Sequence, residues 1–183
     1  MLVSLSVVLA VAAYVQARPN TPASAPGGEF DANRAFADLK RLVSFGPRPP
    51  GSRALEQSRE LITGELHATG AAVVLDSFTA STALGPIPMT NLVAKTPGDS
   101  SAVVIIAGHY DTKRTNFPFV DANDGGPGAA FLLEMARVLA RRGNTLTYWL
   151  VFFDGGEDVH RWSATDGLYG SRHFVQKLRR KGH

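Results

Sequence analysis

Three residues able to hold a metal ion recur at positions that elements of regular structure would bring together. His109 lies in Gly108-His109-Tyr110-Asp111, Asp124 in Asp121-Ala122-Asn123-Asp124-Gly125-Gly126, and Glu157 follows Asp154-Gly155-Gly156. Imidazole nitrogen and carboxylate oxygen are zinc donors, and a catalytic zinc takes three protein ligands while leaving a position for substrate or water. Asp111, two residues beyond His109, can accept the second ring N–H and hold the tautomer. Each residue alone also has a plainer role: Asp124 as a helix N-cap, Glu157 as a solvated loop carboxylate, His109 as a hydrogen-bonded structural residue. Their joint placement after successive apolar runs is what favours a site. The chain has no cysteine, which excludes disulfides, thiolate metal sites and cysteine nucleophiles together. It also lacks a Walker loop and a Gly-x-Ser-x-Gly elbow, and its glycine-rich stretch 124–128 lacks the dinucleotide-binding spacing.

Hydrophobic period supplies the elements that must position these groups. From Asp31 the spacing predicts a helix with Phe36, Leu39, Leu42 and Val43 on one face. The Gly- and Pro-rich stretch 46–52 breaks it, and Ser52 can cap a second helix running to about Thr69. Segments 71–78 and 91–95 read as strands. The run 101–107 is continuously apolar and β-branched, the signature of a central strand covered on both faces. A helix is expected over 127–142 with Phe131, Leu132, Met135 and Leu139 inward, then a buried strand over 146–153. Strand, helix, strand implies a parallel βαβ unit, whose strands direct their carboxyl ends at the ligand crevice. His109, Asp124 and Glu157 all fall at that end.

With 44% apolar and 19% charged residues, the 183-residue chain can bury one core. The net charge of +3 is scattered, so no nucleic-acid footprint is expected. The tail Lys177, Arg179, Arg180, Lys181 sits where cations complement a helix dipole. Residues 2–15 are almost wholly apolar and lead into Val15-Gln16-Ala17, a pattern a signal peptidase could cut. The expected organisation is a signal peptide or N-terminal membrane anchor over 1–17, a flexible linker over 18–30 and one domain over 31–183. Such a chain is exported, to the periplasm or outside the cell.

Five motifs carry a family resemblance over about 45–177: Gly46-Pro-Arg-Pro-Pro-Gly-Ser52, Gly108-His-Tyr-Asp-Thr112, Ala122-Asn-Asp-Gly-Gly126, Phe152-Phe-Asp-Gly-Gly-Glu157 and Trp162-Ser-Ala-Thr-Asp-Gly-Leu-Tyr-Gly-Ser-Arg-His173. Together they resemble the glutaminyl-peptide cyclotransferases, a branch of the zinc aminopeptidase family, and the last motif is the most specific to the cyclases. The resemblance implies an α/β fold, a three-layer α/β/α mixed sheet. It implies one zinc ion held by Asp124 and Glu157, with His109 at the second-metal position of the aminopeptidases and Trp162 lining the substrate pocket. The substrate would be a peptide or protein N-terminus whose glutamine closes to pyroglutamate with loss of ammonia.

Two departures accompany the match. The family has a Glu-Glu pair after the strand, the first acting as general acid/base; here that position is Gly156, so no catalytic residue is assigned, and Asp158 stands on the wrong side of Glu157. Family members also continue beyond His183, supplying a third zinc ligand. The fold is therefore expected to be incomplete at the C-terminus, to bind zinc weakly and to be inactive by itself, with His173 and His183 poor replacements. A zinc aminopeptidase and a non-catalytic binding module are the alternatives.

Overall fold

A computed structural model of the chain describes residues 28–180. The expected signal peptide or anchor over 1–17 lies outside them, as do His183 and all but the last three residues of the expected linker. No helix among the described residues is long and apolar enough to cross a membrane.

Two amphipathic helices come first. The Asp31 carboxylate accepts the amide hydrogens of Asn33 and Arg34 at the start of α1 (Ala32–Ser44), and Ser52 accepts that of Leu55 at the start of α2 (Arg53–Ala68). Both caps satisfy donors that a first helical turn leaves free. The inward stripe of α1 differs from the expected one. Leu42 and Asp38 are buried and Leu39 packs on the core, whereas Phe36 is 59% exposed beneath the Lys40 ammonium. Asp38 turns inward to meet Arg137 at 2.6 Å, and Phe36 lies about 200° around the helix from it.

Strand β1 (Ala72–Thr82) and strand β2 (Gly85–Thr96) form a hairpin paired from Ala72↔Lys95 to Thr82↔Gly85, longer than the two short strands expected. Pro86 and Pro88 conceal its second half in the sequence. They are tolerated because β2 meets its second neighbour, β4 (Thr147–Phe153), only from Leu92 to Thr96, so no ladder needs an N–H from either proline. Strand β3 (Val103–His109) pairs with β4 in parallel, from Val103↔Thr147 to His109↔Phe153, and α3 (Gly125–Ala140) crosses between them. This is the expected βαβ unit.

The sheet order is β1-β2-β4-β3, so among the described residues β3 is an edge strand and not a central one. Val103 and Ile105, each 43% exposed, lie on its uncovered face, while Ile106 packs against the core from the other. A continuous apolar run predicts burial on both faces, but only the α3 side is covered here.

The main core joins Leu92, Ala94, Leu150 and Phe152 of the sheet to the inner faces of α1, α2 and α3. On the opposite sheet face, α4 (Tyr169–Arg180) lays Phe174 on Val93 and Val151. The result is a three-layer α/β/α arrangement around a mixed sheet, as expected. Within α3, Phe131 is 44% exposed, against expectation, and packs on Phe30 with ring centroids 5.6 Å apart. Leu133 and Glu134 are buried instead, because α1 and α2 cover the side of α3 that faces away from the sheet.

Candidate metal centre

The end of β3 and the start of α3 set the geometry of the rim. His109 is the last residue of β3, and Asp124 is the residue before α3. Asp124 makes no side-chain capping bond. Asp121 caps the helix start instead, with a left-handed backbone (φ 53°) and its Oδ2 accepting the Gly125 amide at 3.2 Å. The Asp124 carboxylate is thereby left 65% exposed and facing His109, with Oδ1 3.3 Å from the ring Nε2. The helix start is packed closely, since a Cβ on Gly125 would lie 2.5 Å from the Asp111 carbonyl oxygen.

One ligand atom from each of His109, Asp121, Asp124 and Glu157 can be chosen so that all four lie within 4.8 Å of one another. Three of these are expected from the sequence, and the structure brings them together. Asp121 is the addition. Its signal is a second acidic residue in the same loop, but nothing in spacing distinguishes a buried carboxylate from a solvated one. Asp111, fully buried, links the strands beneath the cluster. Its Oδ1 lies 3.3 Å from His109 Nδ1 and accepts the Gly156 amide at 2.8 Å, and its Oδ2 accepts the Glu157 amide at 3.2 Å.

Arg48 supports the same loops from below, a role that its place in a proline-rich motif does not reveal. It is completely buried. Its Nη1 donates to the carbonyls of Leu42, Gly46 and Val120, and its backbone exchanges bonds with Thr112: the amide donates to Oγ1 at 2.8 Å and the carbonyl accepts the Thr112 amide at 3.0 Å. Burial pulls its guanidinium below the usual arginine range, partly opposed by the nearby charges of Asp121 and Asp111.

Electrostatics at the rim favour a bound cation. Burial raises the pKa of Glu157, and the charges of Asp111, Asp124 and Asp121 add to the rise against His109. Burial likewise raises Asp121, with Asp124 adding and the Gly125 amide opposing. For His109, burial works against the charged ring, but contacts with Asp111 and Asp124 outweigh it and push the pKa up to about 9. Crowded carboxylates of this kind are relieved by a proton or a metal ion, and an ion is the stronger local charge.

The remaining residues considered from sequence are not among the four donors. Asp158 is buried and bonded to Lys113 at 2.8 Å. Trp162 is 57% exposed on the loop after β4, its ring close to Gly167. That loop is held by Asp166, which accepts the amides of Val159, His160 and Arg161 and the Tyr169 hydroxyl. Burial alone would raise its pKa, but these donors hold it down at about 2. His173 stacks on Phe78 at 4.2 Å on the α4 side of the sheet.

The chain resembles known proteins in both sequence and fold. The Bos taurus glutaminyl-peptide cyclotransferase-like protein is 36% identical over 168 residues, covering 85% of this chain and 44% of its own length. The Bos taurus glutaminyl-peptide cyclotransferase is 32% identical over 164 residues, covering 80% and 44%. The crystal structure of Acidobacteriales bacterium glutaminyl cyclase superposes with a TM-score of 0.80 at 34% identity, covering 88% of this chain and 57% of that one. The chain thus spans under half the length of these curated relatives. Residues 91–182, which contain all four clustered donors, match Peptidase family M28. On that match over half its length, the chain belongs to peptidase family M28.

Proposed function

We propose that this chain carries the cation site of a zinc-dependent, glutaminyl-peptide cyclotransferase-like enzyme that acts on peptide or protein N-termini beginning with glutamine. The observation that carries the reading is the group of four donors at the carboxyl ends of the parallel strands β3 and β4. Relatives described as glutaminyl-peptide cyclotransferases supply the reaction class.

The donor set fits zinc. It offers one imidazole and three carboxylates with no thiolate, and more donors than the three a catalytic site uses. Asp124 and Glu157 would hold one ion, with His109 beside them. A zinc ion held there would supply Lewis-acid polarisation of the side-chain amide carbonyl of a substrate glutamine, the chemistry that closure by the α-amine with loss of ammonia requires. Asp111 orients the His109 ring and, through the amides of Gly156 and Glu157, holds the loop that delivers Glu157. Trp162 offers an exposed aromatic face on that same loop for the substrate. Gly156 has no proton to give, and Asp158 is engaged by Lys113. The missing general acid/base makes the 183 residues by themselves slower by about 10²- to 10⁴-fold than a site that has one. The apolar run 2–15 supports export of the protein, with 1–17 as a signal or anchor, 18–30 as a linker and 31–183 as the domain.

A second reading, a zinc aminopeptidase, is favoured by His109 standing among the ligand atoms. The zinc-loaded chain incubated with a Gln-initiated peptide separates the two. Pyroglutamyl peptide with ammonia, even at the reduced rate expected without a general acid/base, supports the cyclase, and free glutamine supports the peptidase; peptide that binds the chain but stays unchanged over a time that would reveal that reduced rate supports a binding module, which Gly156 favours.

A further inference from the structure

Cations that are scattered along the sequence are gathered by the fold at one end, opposite the metal rim. Strands β3 and β4 run toward the rim, so their first residues, Val103 and Thr147, mark the far end of the sheet. Helix α3 starts at the rim and delivers Arg141 and Arg142 to that far end. On the other face α4 runs the same way, from Gly170 beside Asn91 to Leu178 against Trp149, and delivers Arg179 and Arg180. All four arginines are exposed. Lys95 joins the two groups. Its ammonium stands 4.3 Å from the centre of the Trp149 ring, and it borders one hollow with Lys177 and Leu178 and another with Arg142 and Asn144. Of the acids nearby, Asp76 is engaged by Lys177 and Asp31 caps α1, which leaves Glu29 and Asp99 against the remaining cations.

The chain enters the described fold at the same end, since a Cβ on Gly28 would lie 3.1 Å from Arg142 Cγ. The apolar run 2–15 is joined to it by residues 16–27, which reach no more than about 45 Å even when fully extended. A membrane that holds this run therefore lies within reach of the basic end. One apolar segment binds more firmly when a polybasic patch adds attraction to anionic headgroups. We propose that the basic end is a docking surface for an anionic lipid bilayer, with the metal rim turned away from the membrane. A soluble acidic partner would match the charges but leaves the neighbouring apolar run without a role. The surface is separate from the four-donor group, so the proposal stands whether or not that group binds zinc.

Partition of the full chain into vesicles at low salt tests it, with phosphatidylcholine alone compared with an equal mixture of phosphatidylcholine and phosphatidylglycerol. Wild type is expected to prefer the mixed vesicles. The variant Arg141→Gln/Arg142→Gln/Arg179→Gln/Arg180→Gln is expected to lose more than about 100-fold of that preference, from about fivefold per cation near the surface. Equal partition short of saturation, or a preference that survives the four substitutions, overturns the proposal. Tighter binding to heparin than to the same concentration of phosphatidylglycerol charge also overturns it, by assigning the surface to a soluble acidic partner. Orientation is read from the two tryptophans, Trp149 at the basic end and Trp162 on the loop at the rim. Energy transfer to dansyl-labelled headgroups of the mixed vesicles is expected to be stronger for Trp162→Phe, which keeps Trp149, than for Trp149→Phe, which keeps Trp162. Where the apolar run saturates binding to both kinds of vesicle this order decides, and the reverse order overturns the proposal. Should Trp149→Phe fail to fold, the difference between wild type and Trp162→Phe gives the Trp162 signal.

Discussion

Two clusters in this molecule use nearly the same residue types and differ in what balances them. Behind α3, the carboxylates Asp38, Glu65 and Glu134 meet Arg34, Arg41 and Arg137 in a network with contacts of 2.6–3.2 Å. Burial would raise Glu134 and Glu65, yet the arginine contacts outweigh it and leave both below the ordinary glutamate range. At the rim, Asp121, Asp124 and Glu157 share one histidine, and Asp121 and Glu157 are raised. Three acids with three arginines balance one another; three acids with one imidazole leave a negative surplus that the proposed cation would offset. The ratio of charges, more than the count of acids, separates architecture from function.

The contrast can be broken most forcefully at the network. Arg137→Met strips the central cation from three carboxylates, and urea unfolding is expected to show a loss of about 3–5 kcal/mol that added zinc does not recover. At the rim the same kind of surgery acts in the opposite direction. Glu157→Gln should leave the metal-free chain at least as stable as wild type, since one crowded charge is gone, while weakening zinc affinity more than 100-fold, about 3 kcal/mol. Asp111→Asn keeps the shape but loses the charge that His109 and two amides share, and a drop of about 10- to 100-fold in zinc affinity is expected by competition with a chelator.

Asp154 sharpens the comparison as an intermediate case, a buried acid 3.8 Å from one arginine, Arg59. Burial, with the charge of Asp111 behind it, pushes its pKa up to about 7. The folded state therefore holds this proton more tightly than the unfolded chain. The resulting stabilisation is complete below about pH 4 and is lost as pH rises through 7. Asp154→Asn, compared with wild type by urea unfolding at pH 4.5 and 7.5, should lose about 3 kcal/mol of that dependence.

Legibility in the sequence depends on whether a pattern is local. The strands ending near His109 and before Glu157 are short apolar runs, and their order around α3 follows from the βαβ rule, so the convergence of His109, Asp124 and Glu157 is legible. Asp121 is not, because its burial depends on a left-handed turn and on Gly125 packing against Asp111. Phe36 and Phe131 are misassigned because period alone does not know that Asp38 and Glu134 will be drawn inward by arginines elsewhere in the chain. The edge position of β3 is hidden for a related reason. A β-branched run signals strand, but which neighbour covers each face is a property of the sheet. Arg48 illustrates the limit most clearly, since an arginine between prolines gives no hint that it will be wholly buried.

Equilibrium dialysis of the metal-stripped chain against buffered zinc tests the central claim most directly. The account predicts one zinc bound per chain, released when Asp124 and Glu157 are both replaced by their amides, and retained when the Arg137 network is disrupted in a chain that still folds. Uptake of no zinc, or undiminished uptake by the Asp124→Asn/Glu157→Gln chain, would contradict it.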